Sequence, residues 1–185
     1  MKKRRTLIIS MLLIAALCLG IGYAAVAATD TLTIGGTISA NKDLMNNEFD
    51  EDVYFSAVVT DTSKLKTSSA TVSATITPDN VAPNNGGDVG VFTVTGLAEV
   101  GESVTATYTI KNDYTTSVWV TIENDEVSDG VLKVKSDKLT SVEIEAGKTL
   151  DVKVVAEVIA LADDPQPLAY TLTYTATTEA PAASN

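Results

Sequence analysis

The residue types that carry most enzyme chemistry are scarce in this chain of 185 residues, which has no His and a single Cys, Cys18. Without His the Ser-His-Asp and Cys-His nucleophile designs and the His-zinc sites are ruled out. Carboxylates remain, clustered at Asp50-Glu51-Asp52, at Asp125-Glu126 with Asp129, and at Asp163-Asp164. Loops of this kind can take calcium, but none has the D-x-D-x-D-G spacing of an EF-hand loop, and runs of charge ordinarily form solvated surface. Two carboxylates could act as acid and base in glycoside hydrolysis, yet no spacing selects such a pair. Trp119 and the Tyr residues offer a carbohydrate platform; because Trp119 falls on the polar side of its alternation, it is either exposed or covered by an interface, and the second suits a polymer. The expectation is a protein that is not an enzyme, with no catalytic residue, metal, cofactor or small-molecule substrate.

Charge is distributed unevenly along the chain. Lys2, Lys3, Arg4 and Arg5 precede an apolar run from Leu7 to Leu19, and all 24 acids lie after residue 28 together with only 9 Lys, a net charge of −15 for that part. Nucleic acid and anionic membrane surfaces are therefore poor partners. The basic start, the apolar run and the small residues Ala24, Ala25, Val26, Ala27 and Ala28 read as a secretory signal peptide over 1–28, with an A-x-A-type cleavage after Ala27. The alternative is an uncleaved anchor, since Thr6 to Ala28 is long enough to span a bilayer. Cys18 follows Leu17, whereas a lipoprotein signal has a small residue there. A processed chain has no Cys, forms no disulfide and depends on a packed core. The expected location is outside the cell, in a matrix or at the surface, with a membrane met only during export.

The elements past the leader repeat every two residues. In 103–111, Val104, Ala106, Tyr108 and Ile110 face one way and Thr105, Thr107, Thr109 and Lys111 the other; Asn112-Asp113 supplies turn chemistry, and Val118, Val120 and Ile122 resume the alternation. These features predict a hairpin over 103–123. Further strands are expected at 53–60, 70–77, 89–95, 131–135, 140–144, 149–159 and 168–177. Eight or nine short antiparallel strands, separated by turn signals such as Asn84-Asn85-Gly86-Gly87, Ser128-Asp129-Gly130 and Ala146-Gly147, indicate an all-β sandwich over 53–177. The acidic stretch 41–52 and the Pro-containing 161–167 read as loops, and 178–185 as a disordered tail.

One segment stands outside that block. Residues 31–40 place Leu32, Ile34, Gly36, Ile38 and Ala40 on one face and Thr or other small residues on the opposite one. At about 3.3 Å per residue such a strand reaches roughly 33 Å, enough to run along a sandwich edge. It follows the leader, and a polar linker, Asn41 to Asp52, separates it from the sandwich. Such a strand can be the first strand of its own sheet or can leave to complete a neighbour's, and Gly35-Gly36 permits close backbone approach in a groove.

Two stretches carry a resemblance to a known family. Gly20-Ile-Gly-Tyr-Ala-Ala resembles the G-x-x-W/Y-A export signal of TasA and camelysin-like proteins, which are processed by a SipW-type signal peptidase. Val94-Thr-Gly-Leu97, Val100-Gly-Glu-Ser-Val104 and Tyr108-Thr-Ile-Lys-Asn112 resemble that family's N-L-x-P-G-D … F/Y-x-V-x-N hairpin, with Val100 in place of the Pro. Together they cover about a third of the chain. The resemblance implies a jelly-roll or Ig-like sandwich preceded by a cleaved signal peptide, with cleavage after Ala24, and a secreted subunit of a biofilm-matrix fibre joined by an N-terminal donor strand. Val26 replaces the aromatic residue usual in that export signal. The metallopeptidase label of camelysin-like relatives does not carry over to a chain without H-E-x-x-H. The expected partner is the chain itself, with other matrix components as candidates. The alternative is a monomeric surface or matrix-binding adhesion module of Ig-like type.

Overall fold

Thr, Val, Ile and Tyr alternating with period two fit a pleated surface buried on one side, and the chain folds accordingly. The computed structural model describes residues 32–40, 52–66, 70–77, 89–123, 126–161 and 167–180, which form eleven strands and no helix. In chain order they are β1 (Leu32–Ala40), β2 (Val53–Asp61), β3 (Thr71–Thr77), β4 (Val89–Leu97), β5 (Ser103–Asn112), β6 (Val118–Ile122), β7 (Val127–Ser128), β8 (Leu132–Ser136), β9 (Leu139–Ile144), β10 (Thr149–Val158) and β11 (Leu168–Thr177). The leader with Ala24 to Ala28, the linker 41–51, the Asn84–Gly87 turn, the loop 162–166 and the end 181–185 lie outside the described residues.

The strands form a six-stranded sheet in the order β3-β4-β1-β11-β6-β9 and a five-stranded one in the order β2-β5-β10-β8-β7. The sandwich architecture expected from the sequence is present, with two corrections. The described residues within 53–177 form ten strands instead of eight or nine, β1 makes an eleventh, and not all are antiparallel: β1 runs parallel to β11, from Ile34 opposite Leu168 to Ala40 opposite Tyr174. The hairpin expected over 103–123 does not form. β5 pairs with β2 and β10 in one sheet, while β6 pairs with β11 and β9 in the other. Among consecutive strands only β3–β4 and β7–β8 are bonded neighbours; every other connection crosses between the sheets.

The core lies between the two inner faces. β5 contributes Val104, Ala106, Tyr108 and Ile110, β10 contributes Val152, Val154, Ala156 and Val158, and the six-stranded sheet answers with Phe92, Val94, Val118, Val120, Ile122 and Leu172, all fully or almost fully buried. Each large side chain moved out of water in this way contributes about 1.5–3 kcal/mol. Phe55 on β2 fixes the join between the sheets, its ring centroid 5.3 Å from that of Tyr108 and 5.2 Å from that of Tyr174.

Two buried polar side chains close the ends of β5. At its start, the Glu102 carboxylate accepts hydrogen bonds from the backbone N–H groups of Ala98 (2.8 Å), Glu99 (3.0 Å) and Lys66 (2.8 Å). This ties the β4–β5 turn to the chain after β2. Gly101 in that turn has φ +83°, a conformation that favours Gly, and Val100 beside it is exposed. At the far end, the Asn112 amide donates to the carbonyls of Thr116 (2.9 Å) and Ile144 (2.8 Å) and accepts from the N–H of Tyr114 (2.9 Å). Those three bonds hold residues 113–117 as an arch to the opposite sheet, which is why the hairpin is absent.

Candidate assembly site: the seat of the N-terminal strand

β1 is a central strand although it comes first in the chain. It lies between β4, antiparallel to it, and β11, parallel to it, so its main chain bonds on both sides. Of the residues expected to form one face, Leu32, Ile34, Gly36 and Ile38 are all buried in the core, Ile34 and Ile38 completely. Ala40 pairs with Tyr174 through its backbone; its side chain lies outside the described residues.

The seat works by matching large residues to small ones. Gly36 sits between Phe92 on β4 and Tyr170 on β11, and the Tyr170 ring covers it: a Cβ at position 36 would fall 2.5 Å from Tyr170 Cδ1 and would also meet the Tyr170 carbonyl oxygen. One row on, Ile38 lies opposite Gly90. A Cβ at 90 would come within 2.8 Å of Ile38 Cγ2 and 2.5 Å of Tyr108 Cε1, so the missing side chain makes room both for the β1 isoleucine and for a tyrosine from the other sheet. The Tyr108 hydroxyl donates to the Val91 carbonyl at 2.9 Å, and burial pushes its pKa well above the ordinary tyrosine range. Ile34 is flanked by Val94 and Leu168, and Leu32 lies opposite Leu97 across a local shift of register.

Main-chain bonding on two sides combined with pockets for alternate side chains is the recognition chemistry of strand addition.

Two of the acidic groups weighed for chemistry are bonded within the fold. Asp129 Oδ1 accepts from the N–H groups of Val131 (2.8 Å) and Leu132 (2.7 Å) and so shapes the β7–β8 turn, and Glu126 pairs with Lys133 at 2.9 Å. Asp50, Glu51, Asp125, Asp163 and Asp164 lie outside the described residues. Among the described residues no three acidic side chains gather closely enough to hold a metal ion. Trp119 is half-buried, with Glu143 and Thr177 as its neighbours across the sheet. On the outer face of the five-stranded sheet, the Tyr54 hydroxyl donates to Asp113 Oδ2 at 2.6 Å and Lys111 Nζ lies 2.9 Å from Asp113 Oδ1. The hydrogen bond from Tyr54, then that from Lys111, hold the Asp113 carboxyl below its usual range.

Sequence reasoning missed Tyr170, Gly90 and Phe92 as the walls of the seat. The lone Gly90 between two valines was the available signal for close packing. It also missed Glu102, read only as part of the Val100-Gly-Glu-Ser-Val104 stretch. The chain matches no protein-family model, no curated protein and no solved structure.

Proposed function

We propose that this chain is a secreted structural subunit of an extracellular, biofilm-matrix type fibre, and that β1 is the segment passed from one subunit to the next. The observation that carries the reading is the place of β1: an N-terminal strand, joined to the sandwich by a separate linker, fills the middle of a sheet between two strands that are not its neighbours in sequence. Withdrawing β1 would open the edges of β4 and β11 and an apolar groove lined by Phe92, Val94, Tyr170 and Leu172. The same contacts can be made by the β1 of another copy. A terminal strand given head to tail forms a heterologous contact that does not close, and such contacts generate filaments. The resemblance of Gly20-Ile-Gly-Tyr-Ala-Ala to the TasA-like export signal supports the same assignment.

A second reading is a monomeric secreted adhesion module, favoured by the complete seating of β1 in its own chain's sheet. Cysteines separate the two. Thr37 and Thr171 are direct partners across the β1–β11 pair, and the chain beyond the leader has no Cys of its own. The double variant Thr37→Cys/Thr171→Cys, oxidised and run without reductant, should give a ladder of covalent multimers if β1 is donated, while each single variant stops at dimers. A double variant that closes only within one chain, with no ladder, would replace the fibre reading with the monomeric one.

A further inference from the structure

We propose that the outer face of the six-stranded sheet is a self-pairing surface, on which a second copy of this chain docks face to face about a two-fold axis. The proposal goes beyond strand donation and does not rest on it, because the face is present whichever chain supplies β1.

The first observation is charge. β1, β3, β4, β6 and β11 contain no charged residue, and the sheet's sole charged strand residue is Glu143 on its edge strand β9. The strands of the opposite sheet carry Asp61, Lys111, Lys133, Lys135, Asp151, Lys153 and Glu157. Strand propensity does not explain the difference, since the second sheet accepts these residues readily. Burial does not explain it either, because Thr71, Ser73, Thr75, Thr171, Thr173 and Thr177 are exposed. Edge strands ordinarily carry Lys as a guard against association, and β3 has none.

The second observation is what replaces charge. Registered rows such as Ser73–Thr93–Gly35–Ala169 and Thr75–Val91–Thr37–Thr171 cross the sheet with exposed or half-buried side chains, while Thr33 and Ser39 on the same side of β1 are buried within the chain. A Thr hydroxyl both donates and accepts, and its methyl group is apolar, so two such faces complement each other. Like-charged subunits can approach here because the charges of the far sheet lie about 10 Å further back, behind the core, roughly one screening length at 0.1 M salt. The size also fits. Six strands about 4.8 Å apart and five to ten residues long, at about 3.3 Å per residue, give a face of about 700 Å², within the range that one partner contributes to a standard stable interface. A glycan is the less suited occupant: among the described residues Trp119 is the only aromatic in the outward rows of this sheet, and it is half-buried at one end rather than central.

The test uses the full-length chain, expressed with its leader so that the host can process it. Pairing is read as dimers in sedimentation velocity when the chain is monomeric, and as doubled fibres in electron micrographs when it polymerises; failure of strand donation therefore leaves dimers, and failure of this proposal leaves single fibres. Thr173 is exposed near the middle of the face, so Thr173→Lys and Thr173→Glu should keep the circular-dichroism melt of the wild type. Each should weaken pairing on the order of a hundredfold by setting like charges against each other, and an equimolar mixture of the two should restore it. Lys153→Glu, on the opposite sheet, should leave pairing unchanged. Pairing that survives both Thr173 variants, a mixture that fails to restore it, or a wild type that remains unpaired at about 0.1 mM would overturn the proposal. Binding of unpaired wild type to an insoluble neutral polysaccharide would overturn it in favour of a glycan.

Discussion

At the scale of single residues, the absence of a side chain is as informative as its presence. Gly36 and Gly90 are needed because Tyr170, Ile38 and Tyr108 occupy the volume where their Cβ atoms would sit. For Gly36→Val the added atoms would meet a ring and a backbone carbonyl, and the carbonyl cannot rotate away. We expect this variant to lose at least about 3 kcal/mol, at the upper end for overpacked sites, measured as a lower urea midpoint, and to form no polymer. Thr37→Val, one residue along but facing outward, should be nearly neutral in the same assay. A Gly36→Val protein of wild-type stability would mean that β1 does not sit against Tyr170 in solution. Glu102 illustrates the opposite case, a buried charge held in place because it satisfies three backbone donors at once.

At the scale of elements, β1 and the β5–β6 arch decide the architecture. β1 is the strand whose removal would split the six-stranded sheet into β3-β4 and β11-β6-β9. Ile34→Asp places a carboxylate where the wild-type side chain is fully buried between Val94 and Leu168, without any partner for the charge. If β1 is donated, the variant should yield folded monomer from Val53 onward and no fibre in electron micrographs, and added peptide of sequence 31–40 should stabilise that monomer. Loss of all folded material, with no rescue by the peptide, would show that β1 serves its own sheet only. The arch depends on Asn112 in the same way that the turn before β5 depends on Glu102. Each is buried and bonded to backbone. The two residues shape the ends of β5, and the strands before and after it, β4 and β6, both lie in the opposite sheet.

At the scale of the whole molecule, charge opposes any assembly. With residues 1–28 removed, 24 acids face 9 Lys, a formal −15 per subunit, and a fibre brings many such subunits together. Salt shortens the screening length to about 10 Å at 0.1 M, and acid neutralises carboxylates whose reference pKa values lie near 4. Both should speed polymer growth followed by light scattering, with acid acting most strongly as pH falls toward about 4, where the carboxylates protonate. Growth that is flat from low to moderate salt and down to about pH 5 would show that local contacts set the rate instead of repulsion. The outer face of the six-stranded sheet, with Glu143 on its edge as the one charged strand residue, is where repulsion weighs least, so lateral pairing should respond to salt less than end-to-end growth does.

The sequence by itself determined the class of structure and the facing of its residues. Alternation at Val104, Ala106, Tyr108 and Ile110, and at Val152, Val154, Ala156 and Val158, was enough to say which side of each strand is buried, because successive Cβ atoms of a strand point to opposite faces whatever the strand pairs with. It also placed Leu32, Ile34, Gly36 and Ile38 on a common face. Pairing is another matter, since it is chosen between segments far apart in the chain. The period-two pattern of 103–123 is the same whether Asn112 starts a hairpin or an arch, and only the carbonyls of Thr116 and Ile144, brought to its amide by the fold, decide for the arch. Likewise nothing local assigns β1 to β4 and β11: that choice rests on Gly36 fitting beneath Tyr170 and Ile38 filling the space at Gly90, a match of volumes that exists only once three distant strands lie side by side.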